Sequence, residues 1–207
     1  MNIFVLCTGR CGSTAFFQAC RHMSNYSTSH EDKRSVLGKA RFSYPDNHIA
    51  VDYRLAWMLG RLDAIHGRNA FYVHLMRDPK AVAQSYARMA RIERTSSLVT
   101  DTFDLPDWMN HMGAPVWAHQ HVQAQKVFPL PVVAEDMVLS INADIKMFLK
   151  DKQHFIVRVE NIEQDFPEFW GKIGATGDIN SAMDEWRAKH NDIGTIVREA
   201  SAAIASA

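Results

Sequence analysis

The sequence predicts an α/β fold, a doubly wound and mainly parallel sheet flanked by helices. Three short runs rich in β-branched and aromatic residues, Ile3–Leu6, Ala70–Met76 and Gln153–Val159, suit buried strands. They alternate with segments of helical periodicity, which is the order that builds a parallel sheet. A Gly-containing loop joins the first run to its helix, and in such a sheet a ligand belongs at the carboxyl ends of the strands.

At 207 residues the chain is long enough for one such domain, 1–207, and no repeat, linker or low-complexity stretch divides it. A hydrophobic fraction of 47% and a charged fraction of 22% are normal for a soluble globular protein. Lys+Arg and Asp+Glu balance at 23 each, so no bulk field favours nucleic acid or an anionic membrane, and any anion site must be local. No run approaches the roughly 20 apolar residues of a membrane span. The N-terminal stretch lacks the basic segment and the length of a signal peptide. Cys7, Cys11 and Cys20 are an odd set without metal-like spacing, which fits reduced thiols and a cytoplasmic location.

In chain order, Ile3–Leu6 leads into Thr8 to Ser13, which holds two glycines, a cation and hydroxyls. Helical character begins at Thr14 and runs to His22. Strand, Gly-containing loop and helix in that order make an anion site, because loop and first-turn N–H groups converge and the helix dipole adds roughly half a positive charge. Gly9 and Gly12 let the backbone approach an oxyanion, Arg10 supplies a fixed charge, and Ser13 and Thr14 supply hydroxyl donors. Cys11 reads as a small residue filling a tight loop.

Asn25 to His30 fits a short strand or a loop. His30-Glu31-Asp32-Lys33-Arg34 follows and reads by itself as a solvated charged turn. Neighbours on an extended backbone point opposite ways, so one of His30 and Glu31 should face the site. Arg41 to Asp52 carries the turn signal Pro45-Asp46-Asn47-His48 and reads first as a surface loop, with His48 and Asp52 as candidates for an acceptor pocket. Tyr53 to Ile65 has apolar residues at helical spacing, closed by Gly67.

After Ala70–Met76 comes Arg77, with Asp78 as N-cap and Pro79 as first helical residue of a helix reaching Arg88. Glu93 to Met112 reads as a lid or substrate loop. Ala114 to Phe128 and Val132 to Leu149 read as helices, and His119 and His121 fall on different faces of the first, which disfavours a metal pair. Gln153–Val159 precedes Glu160-Asn161-Ile162, then a short helix from Phe166 to Ile173, after which Asp178 to Trp186 leads toward the chain's late basic residues. Arg187-Ala188-Lys189-His190-Asn191 is a basic turn.

Two familiar phosphate loops do not fit. In GxxxxGK[ST] with Gly12 as the second glycine, the lysine position is Ser13 and the first glycine position is Cys7. A Cys-dependent phosphatase with Cys7 as nucleophile would need its arginine where Ser13 stands. Arg10-Cys11-Gly12-Ser13-Thr14, with its cation two residues before the glycine and two hydroxyls after it, resembles the 5′-phosphosulfate loop of the PAPS-dependent sulfotransferases. Arg77 and Ser85, eight apart within V-H-L-M-R-D-P-K-A-V-A-Q-S-Y, resemble that family's 3′-phosphate motif. Arg158-x-Glu160-Asn161-Ile162 is similar to a late family element and reads as structural.

The resemblance implies a three-layer α/β/α fold of the P-loop NTPase-like type. It implies transfer of a sulfuryl group from PAPS, as co-substrate, to a hydroxyl or amine of a small-molecule or glycan acceptor. Arg10, Cys11, Gly12, Ser13, Thr14, Arg77 and Ser85 would hold the nucleotide, with Lys189 or Arg187 closing over it. Glu31 would be the base, with His30 as its neighbour. No Walker-type lysine or metal-carboxylate set appears, so no essential metal is expected. A nucleoside-triphosphate-dependent kinase and an inactive nucleotide-binding module are the competing readings.

Overall fold

A computed structural model describes residues 1–95, 124, 126–188 and 190. Residues 96–112 of the expected lid loop, most of the expected Ala114 to Phe128 helix, His119, His121 and Lys189 lie outside the described residues. The elements are β1 Ile3–Leu6, α1 Ser13–Cys20, β2 Ser27–His30, β3 His48–Val51, α2 Leu59–Ile65, β4 Phe71–Met76 and α3 Pro79–Thr95. They continue with α4 Leu130–Phe148, β5 His154–Arg158, α5 Ile162–Lys172 and α6 Ile179–Arg187.

Five strands form one parallel sheet in the order β2-β3-β1-β4-β5. β1 is fully buried between β3 and β4, as its unbroken apolar sequence requires. Helices cover both faces, giving a three-layer α/β/α arrangement. On one face α1 packs against α6, and α5 packs against β5 and α6. Phe16 of α1 meets Phe166, Phe169 and Trp186 edge-on or tilted, at centroid distances of 5.6, 5.4 and 6.1 Å. On the other face α3 and α4 pack together over β4. There Tyr72 lies edge-on to Phe148, and His74 Nε2 lies 3.0 Å from Asn142 Oδ1.

The expected surface loop from Arg41 to Asp52 is corrected by β3. Its residues 48–51 are buried and pair with β2, and 49–51 also pair with β1, because the turn at Asn47, with φ 52°, delivers the chain into the gap between them. His48 is therefore not a pocket residue. Its Nδ1 and Nε2 each lie 2.8 Å from a serine hydroxyl, Ser27 and Ser29, and its ring stacks on Tyr44. Among the described residues, no helix is long and apolar enough to cross a membrane.

Candidate functional site

The site gathers at the carboxyl ends of β1, β4 and β2. After β1 the backbone enters the left-handed region three times, at Gly9 (φ 73°), Arg10 (φ 54°) and Gly12 (φ 88°). Arginine carries a steric cost there that glycine does not, so the loop holds Arg10 in a strained conformation of the kind that gathers at ligand clamps. Gly12 is the N-cap of α1 and contributes no side-chain cap, and the first turn holds no acidic residue. That leaves the dipole end of the helix open to an external anion.

Beneath the loop Tyr86 of α3 donates its hydroxyl proton to Thr8 O at 2.6 Å. A Cβ on Gly9 would stand 2.5 Å from that hydroxyl oxygen. A Cβ on Gly12 would meet Val159 at 3.2 Å and Trp186 at 3.3 Å. Gly9→Ala should therefore lower Tm by on the order of 10 °C, since backbone strain and overpacking each cost about 1–3 kcal/mol. In a Tyr86→Phe background the clash is gone and a much smaller drop should remain. Gly38→Ala, also at positive φ (67°) but with nothing within 4 Å, gives the strain contribution alone. Equal losses for Gly9→Ala and Gly38→Ala would refute the tight-floor account.

Cys11 is fully buried, as a loop-filling residue should be, and its thiol hydrogen-bonds to that of Cys7. The contact raises Cys7 well above the usual thiol value and lowers Cys11.

The two stretches that resemble phosphate motifs meet. Arg10 Nε donates to Ser85 Oγ at 3.2 Å, and Arg77 Nη1 donates to the carbonyl of Arg10 at 3.2 Å. These residues are separated by 75 and 67 positions in sequence. Ser85 thus touches Arg10. Among the described residues neither guanidinium meets a carboxylate. Burial, together with the nearby charges of Arg77 and Arg88, lowers the Arg10 guanidinium from its ordinary value, against an opposing pull from Tyr86. Two converging cations with no carboxylate partner among the described residues are unfavourable alone and favourable around a polyanion.

The late motif buttresses this corner. Glu160 Oε1 accepts from the N–H of Asp78 at 2.8 Å, and Asp78 Oδ1 accepts from Ala81 N at 2.8 Å, so Asp78 caps α3 as expected. Arg158 grips Asp165 with Nε and Nη2, both at 2.8 Å, which lowers the Asp165 carboxyl from its ordinary value. These are structural roles.

On the other flank, His30 Nε2 lies 3.4 Å from Ser13 Oγ and 3.5 Å from Glu31 Oε1, and its ring stacks on Phe17. The expected alternation of His30 and Glu31 fails: both face one spot. Glu31 has left the strand geometry, with φ 55°. Burial lowers the His30 imidazole from its ordinary value, against the opposing pull of Glu31 and Asp52, so it is neutral near pH 7.

Arg187 is engaged in exposed ion pairs with Glu163 (3.1 Å) and Asp184 (2.9 Å). Sequence reasoning passed over Tyr86, Arg54 and Trp186. The aromatic at the second position of Ser85-Tyr86 and the Asp-x-Arg of Asp52-Tyr53-Arg54 were the only local signals. Among the described residues no cluster of three His, Cys, Asp or Glu is arranged to hold a metal ion.

The sequence matches no family model and no curated protein. The solved structure of mouse sulfotransferase SULT7A1 complexed with PAP superposes with a TM-score of 0.50 at 16% sequence identity, over 90% of this chain. The chain has a sulfotransferase-like fold. It spans 62% of the length of the mouse protein, and at that identity the likeness is one of fold. Within the sulfotransferase-like frame, the strand-β1 loop and the strand-β4 arginine occupy adjacent strand ends, which accounts for their contact.

Proposed function

We propose that this protein is a PAPS-dependent sulfotransferase acting on a hydroxyl or amine of a small-molecule or glycan acceptor. The observation that carries the reading is the convergence of Arg10, Arg77 and Ser85 into one cationic corner, from two motifs that each resemble a phosphate grip. In this reading Gly12, Ser13, Thr14 and the α1 dipole hold the 5′-phosphosulfate, with Cys11 shaping the loop beneath, and Arg77 and Ser85 hold the 3′-phosphate. Lys189 remains the candidate for closing over the nucleotide.

The acceptor oxygen or nitrogen attacks sulfur, the S–O bond to the 5′-phosphate breaks, and adenosine 3′,5′-bisphosphate leaves. The acceptor proton passes to Glu31. Charge builds on the departing phosphate, so Arg10 and the loop N–H groups bind the transition state more tightly than the ground state. Both ring nitrogens of His48 are engaged by Ser27 and Ser29, which favours Glu31 and its neighbour His30 for the base over this histidine.

Adenosine 3′,5′-bisphosphate should bind, and raise Tm, where ATP–Mg²⁺ does not. Arg77→Ala should weaken that binding by roughly tenfold to a hundredfold in calorimetry, the scale of losing one or two charge-assisted hydrogen bonds. An unchanged affinity would remove Arg77 from the site. Preference for ATP–Mg²⁺ would instead favour the kinase reading, and intact binding without transfer over a broad acceptor panel would favour the inactive module.

A further inference from the structure

Glu31 is held by more than its own strand. Its N–H donates to Val51 O at 3.0 Å, and its carbonyl accepts from Arg54 Nη2 at 2.9 Å. Both backbone groups of a residue at φ 55° are therefore fixed from β3 and from the turn that follows it. Arg54 has no freedom to drift. Asp52, only 2% exposed, accepts from Arg54 Nε at 2.7 Å, from Nη2 at 2.8 Å and from the Arg54 backbone N–H at 2.9 Å. One guanidinium nitrogen, Nη2, thus bridges the buried carboxylate and the Glu31 carbonyl. A left-handed non-glycine residue costs free energy and persists when its surroundings over-determine it, and here the over-determining groups can be named.

Resting on the sulfotransferase reading, we propose that Asp52 and Arg54 are positioning residues that hold Glu31 in its left-handed conformation and so turn its carboxylate onto the same side as His30, toward the acceptor. On a plain extended backbone the two side chains would diverge. With the clamp, Glu31 Oε1 stands 3.5 Å from His30 Nε2, which itself lies 3.4 Å from Ser13 Oγ in the anion loop. The clamp thereby ties the proton-accepting group to the loop that would hold the sulfuryl donor. Neither Asp52 nor Arg54 touches the reacting atoms in this account. The charged groups that bear on His30 are Glu31, Asp52 and Arg54, and its ring is covered by Phe17.

Arg54→Lys tests the clamp. It keeps a charge beside Asp52 but loses the planar fork that serves carboxylate and carbonyl together. In the full chain, kcat should fall by roughly tenfold to a hundredfold, while affinity for adenosine 3′,5′-bisphosphate and Tm stay near wild type. The second readout needs no turnover. In wild type, Glu31→Gln should lower the His30 imidazole pKa followed by NMR, because the Glu31 charge raises it. In the Arg54→Lys background the same substitution should shift it by about half as much or less. Should Arg54→Lys fold poorly, Asp52→Asn with Arg54→Gln removes both charges without stranding a buried one and is read in the same way. An equal Glu31→Gln shift in both backgrounds, or an unchanged kcat, overturns the clamp. Absence of adenosine 3′,5′-bisphosphate binding by the wild-type chain overturns the sulfotransferase reading instead, and leaves the His30 measurement to decide the clamp alone.

Discussion

Arg10→Ala should lower kcat/KM for sulfuryl transfer by about a hundredfold to a thousandfold, the usual scale for removing one preorganised electrostatic donor. The guanidinium reaches the corner from a loop whose φ at this position is 54°, and it is braced by Ser85. Alanine keeps the strained backbone but removes the charge, so the loss isolates the charge. Arg10→Lys should recover part of the rate, because a point charge replaces an aimed fork. The ligand-free protein should keep its Tm within a few degrees, since Arg10→Ala also relieves repulsion with Arg77 and Arg88. Steady-state kinetics over a PAPS titration, with a thermal melt beside it, make the check. A kcat/KM within threefold of wild type would mean that Arg10 does not face the leaving phosphate.

Glu31→Gln should reduce kcat by about a hundredfold or more, the lower range for losing a general base. The amide is nearly isosteric, so the Val51 and Arg54 contacts to the Glu31 backbone survive, and affinity for adenosine 3′,5′-bisphosphate should stay within about twofold. The pH profile discriminates further. His30 is pushed down by burial and kept up by the Glu31 charge. With glutamine in place that support is gone, so any limb due to His30 should move to lower pH. Unchanged turnover would pass the base role to His30.

The convergence of Arg10, Arg77 and Ser85 could be looked for in the sequence because its two halves are written locally. A cation, a glycine and two hydroxyls must be near neighbours to form an anion loop, and an Arg at a strand end with a Ser two turns into the next helix is a short-range pattern. β1, β4 and β5 were legible for the same reason, as runs of apolar side chains. β3 was not. Its apolar part is only Ile49-Ala50-Val51, behind a Pro-Asp-Asn turn, and it is a strand because β1 and β2 offer hydrogen bonds on both sides. Missing β3 hid what depends on it: the burial of His48, and the meeting of Asp52 and Arg54 with Glu31. The reading of His30 and Glu31 as opposed side chains failed because strand alternation says nothing once a residue turns left-handed.

The strand order has a lasting consequence. The two arginines hang from β1 and β4, adjacent strands that each have a partner on both sides, whereas His30 and Glu31 follow β2, which among the described residues lies at the margin of the sheet with a partner on one side. The interior pair cannot shift without tearing two ladders, but the margin can be lengthened, retwisted or rebuilt at modest expense. On the sulfotransferase reading, a lineage carrying this scaffold could therefore exchange one acceptor for another by reworking its outer flank, while the inner corner stays fixed.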